Sequence, residues 1–337
     1  MTERNCRALL GMGLLVVVGA LTATGTAAQG TVNEDPRFKN SKSVACPQAT
    51  IPQQFYKCAL EKVKTFVPKK RTPDGKPDLS GVWNPTRGAL SIEEITGQYG
   101  DGTTAAYAKV PSLVVDPPDG KIPYQPWAQE IRQKIAQFSS PANGQVIHEA
   151  DKGEFGYISP SSICFQLGVQ RHSYSAPTHI IQGPNQLAFF KDRNHTHRVI
   201  PTDGRPHLDS KIRTWTGDSR GHWEGNTLVI ETTNYNGMTW MDHIGTFLTE
   251  DLKTIERIAL VDDDTLSFEQ TLIDPKIFTQ NWKIAQAWTR SKETPVESEL
   301  WYDDIRENCE IDLPLQIRLG MRPYPGYKVA VESKRKK

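Results

Sequence analysis

Residues 254–273 read TIERIALVDDDTLSFEQTLI. Two runs of alternating character flank Asp262, Asp263 and Asp264. A period of two belongs to a half-buried strand, and the acidic cluster between the runs belongs to a turn. The stretch therefore predicts two antiparallel strands, 254–261 and 265–273. Alternation places Ile255, Arg257 and Ala259 on one face and Glu256, Ile258 and Leu260 on the other. A charge turned into a barrel is costly unless paired. These charges therefore either line a polar ligand cavity or face solvent. Arg257 is the candidate for holding a polar group of a ligand.

Outward from this hairpin the pattern repeats. Residues 178–182, 186–190, 196–200, 227–233, 282–288 and 298–302 read as short strands, with turn residues such as Gly183-Pro184-Asn185 between them. An earlier strand opens at 78–83 and is ended by Asn84-Pro85. Many short strands without helices between them predict a mainly β fold, an antiparallel barrel or sandwich. No glycine motif for phosphate occurs, which argues against an α/β nucleotide fold. Residues 86–160 are irregular and broken by Pro117, Pro118, Pro123 and Pro126. Within them only 127–138 (WAQEIRQKIAQF) has helical periodicity, with Ile131, Ile135 and Phe138 on one face. A short helix is also expected near 53–65. The domain reading is a signal segment 1–28, an arm 29–77, one β-rich domain 78–325 and a basic tail 326–337.

The N-terminus reads as an export signal. Arg4 and Arg7 precede an apolar run over 8–20, and Thr26 and Ala28 suit a cleavage site before Gln29. The run is short for a spanning helix, so no stable membrane span is expected after cleavage. Cys46, Cys58, Cys164 and Cys309 would follow the cut. In an oxidising compartment an even set invites disulfides, with three connectivities open. Cys46 with Cys58 and Cys164 with Cys309 is the expected pairing. The chain carries 40 basic and 39 acidic residues. That balance argues against a nucleic-acid partner, which usually meets a strongly basic face.

Four strings carry a resemblance: RTPDGKPDLSGVW (71–83), HRVIPTDGRPH (197–207), GDSRGHWEGNTLVIETTNYN (217–236) and IERIALVDDDTLSFEQTLIDP (255–275). In this order they resemble a large group of exported, mostly uncharacterised bacterial proteins. The resemblance implies export and carries no settled activity. The chain departs from the group's pattern at 241–246 and 302–310, which weakens transfer of a site to those loops. A looser resemblance is to lipocalin-like barrels, whose first strand opens with a Gly-x-Trp similar to Gly81-Val82-Trp83. A closed barrel of about eight strands can hold one small ligand.

Candidate chemistry clusters on loops beside strands. His222, Trp223 and Glu224 are read at a bend feeding the strand 227–233. There His222 is a candidate general base and Glu224 its orienting carboxylate. Asp242 and His243 share a loop with Trp240 and suit proton transfer on an organic molecule. The expected proton-transfer pair is Asp242 with His243 or His222. Trp223, Trp240 and Tyr235 would wall the ligand. Arg193, Arg198 and Arg205, with Asp203 and Asp209, read as loop salt bridges, although Arg205 could instead hold a carboxylate. His195, His197 and His207 form a possible metal set, but their spacing alone does not define a zinc shell. No metal and no cofactor is assigned. The sequence thus predicts an exported β protein that binds a small organic molecule. Its expected chemistry is cofactor-free and of lyase, isomerase or hydrolase type. The alternative is a non-catalytic periplasmic carrier or envelope interaction module.

Overall fold

The computed structural model describes residues 43–86, 91–96, 109–138, 168, 177–191, 196–242 and 245–291. The expected signal segment, Cys164, Arg193, His195, His243, the strand at 298–302, Cys309 and the basic tail lie outside these residues. The elements are α1 (Pro52–Thr65), β1 (Gly81–Pro85), β2 (Ile95–Thr96), β3 (Lys109–Val110), β4 (Val114–Asp116), α2 (Pro126–Phe138), β5 (Thr178–Gly183), β6 (Gln186–Lys191), β7 (His197–Pro201), β8 (Asp218–Glu224), β9 (Thr227–Thr233), β10 (Lys253–Asp262), β11 (Thr265–Ile273) and β12 (Trp282–Arg290).

Ten strands form one antiparallel sheet in the order β7-β6-β5-β1-β12-β11-β10-β9-β8, with β4 beside β12. The sheet curls until β7 and β8, its two ends, adjoin. The result is a nearly closed, lipocalin-like barrel. Gly221 of β8 sits at this seam. A Cβ there would lie 2.9 Å from Thr202 Cγ2 and 3.0 Å from Ile200 Cγ2. Only a glycine lets the two strands come so close.

The 254–273 hairpin forms as its alternation requires. Glu256 pairs with Gln270 and Ile258 with Phe268 across β10 and β11. Thr254, Glu256, Ile258 and Leu260 point into the barrel, and Arg257 points out. One half of the interior is apolar, built from Trp83, Ile180, Phe189, Ile200, Leu228, Ile258, Phe268 and Trp288. Beyond the other end of the sheet, Tyr124, Tyr235, Trp240, Phe247, Phe278 and Trp282 form a second core.

The Gly-x-Trp opening has a physical reason. Trp83 is fully buried, and its indole Nε1 donates to Leu79 O at 2.9 Å. The Arg290 guanidinium lies over its ring, 4.1 Å from the centroid. Gly81 has φ +128°, and a Cβ there would fall 2.7 Å from Arg290 Nη1. The positive φ favours glycine, and the Arg290 guanidinium occupies the space that a Cβ would take.

The arm expected at 29–77 is partly built into the domain. Helix α1 begins on Pro52, whose fixed φ suits a first helical position, and carries Lys62 and Lys64 in its last turn. Its Phe55 and Ala59 pack with Val261 and Ala287 on the outside of the barrel. Truncating Phe55 to alanine would cost about 3–5 kcal/mol. The Tyr56 hydroxyl donates to Glu269 Oε2 at 2.7 Å on the same outer face. Cys46 and Cys58 form the expected disulfide, which ties the segment before α1 to the helix.

Two expectations are corrected. Residues 218–224 form a regular strand, not a bend, and a two-residue Gly225-Asn226 turn joins them to β9. The inward side chains of this strand are Ser219, Gly221 and Trp223. A strand whose core face carries Ser and Gly shows no apolar alternation. The irregular stretch also contains three short strands, of which β4 pairs with β12 and β2 with β3.

Candidate functional site

The barrel interior carries a belt of polar side chains between the two apolar cores. Arg198 of β7 binds Glu256 of β10 with two parallel hydrogen bonds, Nη1 to Oε2 at 2.6 Å and Nη2 to Oε1 at 2.9 Å. Glu256 is fully buried. The pair spans β8 and β9 and so crosses the seam that the ladder leaves open. Arg198 also lies over the Phe189 ring, 5.1 Å from its centroid. Beside the pair, the Ser219 and Thr232 hydroxyls bond each other at 2.9 Å, and Tyr235 Oη meets Thr254 Oγ1 at 2.7 Å. Burial raises the pKa of the Tyr235 phenol, so it stays protonated. The Lys191 ammonium donates to Thr178 and lies 4.9 Å from the centre of the Trp288 ring.

Gln270 and Gln286 complete the belt, each buried on the inner face. Gln270 stands beside Glu256 on one side and Ile284 on the other. It is fully buried, yet neither its amide nitrogen nor its amide oxygen has a hydrogen-bond partner among the described residues. Each such bond left unmade costs about 1–3 kcal/mol. The Trp282 indole N–H, on the neighbouring strand, is buried in the same condition.

The residues expected to act together lie in three places. The first is the outer wall. His222 Nε2 sits 3.3 Å from Glu224 Oε1, and Arg257 Nη2 donates to Glu224 Oε2 at 2.7 Å. The hydrogen bond from Arg257, and then that from His222, hold the Glu224 carboxyl below its usual range. All three side chains are solvent-exposed, at 60, 49 and 39% for His222, Glu224 and Arg257. Trp223 faces the opposite way and packs half-buried against the barrel core.

The second place is the far end of β9. Asp242 is fully buried. Its Oδ1 accepts from Thr246 N at 2.9 Å, and its Oδ2 accepts from Thr246 Oγ1 at 2.7 Å and from Ile92 N at 3.2 Å. This carboxylate ties a loop to residue 92. Arg132 of α2 joins the group, donating from Nε to Thr246 Oγ1 at 3.4 Å and pairing with Glu93 at 3.0 Å. Trp240 is buried in the core beside them. His222 pairs with Val229 on the outer wall, about 13 Å of strand short of Thr233 at about 3.3 Å per residue, whereas Asp242 is buried in the loop beyond β9. The expected His222–Asp242 proton-transfer pair is therefore not assembled.

The third place is the exposed loop after β7. Arg205 closes on Asp203 through Nε and Nη2, and these bonds hold the Asp203 carboxyl down at about 2. That is the loop salt bridge, with the guanidinium engaged rather than offered to a ligand. Of the histidines considered as a metal set, His197 stacks on Phe190 at the outer surface. His207 Nδ1 lies 2.8 Å from Asp218 Oδ2. Among the described residues, no three His, Cys, Asp or Glu side chains are placed to hold a metal ion.

The sequence pattern does not single out Lys191, Gln270, Gln286 or Arg132, and it places Arg198 among the loop charges. A signal existed for the belt. Gln270 lies between Phe268 and Leu272 at the core parity of its strand, and Gln286 lies between Ile284 and Trp288. A polar residue at an apolar parity marks a buried polar position. The fold and this belt define a lipocalin-like barrel whose apolar interior is crossed by a polar belt. No protein-family model, curated protein or solved structure matches the chain.

Proposed function

We propose that this protein is an exported carrier that binds one small organic molecule inside the barrel, against the polar belt. The observation that supports this is Gln270. A fully buried carboxamide with both ends unpartnered gains what it lacks when a ligand supplies the bonds. The Arg198–Glu256, Ser219–Thr232 and Tyr235–Thr254 pairs of the belt are closed on themselves and would position the molecule. Export rests on the signal-like N-terminus and accords with the Cys46–Cys58 disulfide, a cross-link common in oxidising compartments. No helix among the described residues is long and apolar enough to cross a membrane.

Binding is favoured over catalysis. The imidazole expected to act as base stands on the outer wall in solvent, and the buried Asp242 is a loop tie beyond β9. The Arg198–Glu256 pair is closed on itself. Among the described residues, His222 and Asp242, expected as one proton-transfer pair, are thus not brought together.

The test is capture. The purified full chain and its Gln270→Leu variant are incubated with a bacterial metabolite extract and weighed intact under native conditions. The wild type is expected to retain one small molecule unchanged, and the variant to lose it. Depletion of an extract component with appearance of a product would instead establish an enzyme, and no retention by either chain would contradict the binding reading.

A further inference from the structure

Residues 57–76, the second half of α1 and the strap that follows it, carry seven basic side chains and two acidic ones, a charge of +5. The whole chain carries +1, so the remainder is acidic by four charges and the positive charge is gathered here. The strap crosses one end of the barrel. Lys69 pairs with Asp263 of the β10–β11 turn at 2.7 Å, and Arg71 donates to Asn226 of the β8–β9 turn at 3.2 Å. On the helix, Lys64 pairs with Glu61 at 3.0 Å. Lys57, Lys62, Lys70 and Lys76 form no ion pair among the described residues. The other two acids of the β10–β11 turn are engaged elsewhere, Asp262 by the Ser43 hydroxyl at 2.8 Å and Asp264 by Arg290 at 3.1 Å.

Apolar side chains stand among these lysines. Phe55 and Ala59 hold α1 against the barrel, so helical periodicity puts Lys57, Leu60 and Lys64 on its far face. Phe66 packs inward on the barrel core with an extended backbone, and Val67 follows it with the opposite direction. Leu60 is 44% exposed and Val67 69%.

A run of lysines alone is a solvated face, and a polyanion such as a nucleic acid would use only its charge. An anionic lipid surface uses both features, because the lysines meet its headgroups and small apolar groups enter at the acyl boundary. We infer that the outer face of α1 and the strap 66–76 dock this protein reversibly on an anionic lipid surface. Lys57, Lys62, Lys70 and Lys76 supply the attraction, and Leu60 and Val67 insert between the headgroups. The barrel lies on the surface and does not span it.

Flotation of the full chain with phosphatidylglycerol-containing vesicles and with pure phosphatidylcholine vesicles tests this. The chain is expected to float with the anionic vesicles at low salt and to be released at high salt. The neutral vesicles report any insertion by the apolar run 8–20, which needs no anionic lipid. Replacing Lys57, Lys62 and Lys70 by Gln is expected to weaken anionic binding about fivefold for each lysine removed. The Leu60→Ser, Val67→Ser double variant is expected to weaken it while keeping the salt dependence. All five positions are surface-exposed, so both variants are expected to melt with the wild type, which separates lost docking from lost folding. Equal flotation with neutral and anionic vesicles would overturn the inference, as would undiminished binding by either variant. Tighter binding to duplex DNA than to the vesicles would assign the patch to a nucleic acid instead.

Discussion

Arg198 and Glu256 clasp one another across the barrel seam, two nitrogens on two oxygens at 2.6 and 2.9 Å. The strands they join, β7 and β10, are not neighbours in the ladder. Removing one partner leaves a buried charge uncompensated, which costs about 3–5 kcal/mol. Glu256→Gln and Arg198→Met are each expected to lower stability by that order in urea unfolding. The double variant is expected to recover much of the loss. Additive losses would show that the pair does not act as a clasp.

Gly221 allows the same seam to close from the other side. Gly221→Val inserts a branched side chain where Thr202 and Ile200 already stand within 3.0 Å of a Cβ. Overpacking of this kind costs about 1–3 kcal/mol. The variant is expected to unfold at lower urea and to show faster amide exchange in β7 and β8 than in β11. Wild-type stability would contradict closure at this seam.

Asp274 gives the fold a pH dependence of known sign. Burial raises its carboxyl from 3.8 to about 6, despite hydrogen bonds from the Thr249 and Lys276 amides. A raised carboxyl pKa favours the protonated form in the folded state. Its stabilisation is complete below about 3.8 and is lost as pH rises through about 6. The rise from 3.8 to about 6 corresponds to about 3 kcal/mol. Asp274→Asn, which stays neutral, is expected to remove that loss, so the variant gains on the wild type between pH 4 and pH 7. A pH-independent difference between the two chains would contradict the assignment.

His222 and Asp242 are expected to behave differently from each other. His222→Ala removes an exposed side chain and is expected to leave both the melting temperature and ligand retention unchanged. Asp242→Ala orphans the amides of Thr246 and Ile92 and the Thr246 hydroxyl. It is expected to destabilise the protein by at least about 1–3 kcal/mol. Loss of ligand retention in His222→Ala with stability intact would return the site to the outer wall.

The hairpin 254–273 is legible because Ile258, Leu260, Leu266, Phe268 and Leu272 recur at every second position of its core face, with Thr254, Glu256 and Gln270 as the exceptions. The strand 218–224 was not, because closure of the barrel needs Gly221 and Ser219 where alternation would place large apolar residues. Glu256 was seen to share a face with Ile258 and Leu260, but its partner was not. Arg198 lies 58 residues away and meets it only after the seam forms. Such a non-local contact leaves no local mark, so in sequence Arg198 is indistinguishable from a loop charge such as Arg205. Gln270 and Gln286 are marked only by standing at the apolar parity of their strands, because a neutral amide there carries no charge or catalytic motif.

The central claim is that Gln270 faces a bound molecule. The most direct measurement is a crystal structure of the full chain after incubation with the metabolite extract. Density for an organic molecule within hydrogen-bonding distance of the Gln270 carboxamide, inside the barrel and beside Trp282, is the predicted result. A single ordered water or tightly packed protein side chains at that position would contradict it.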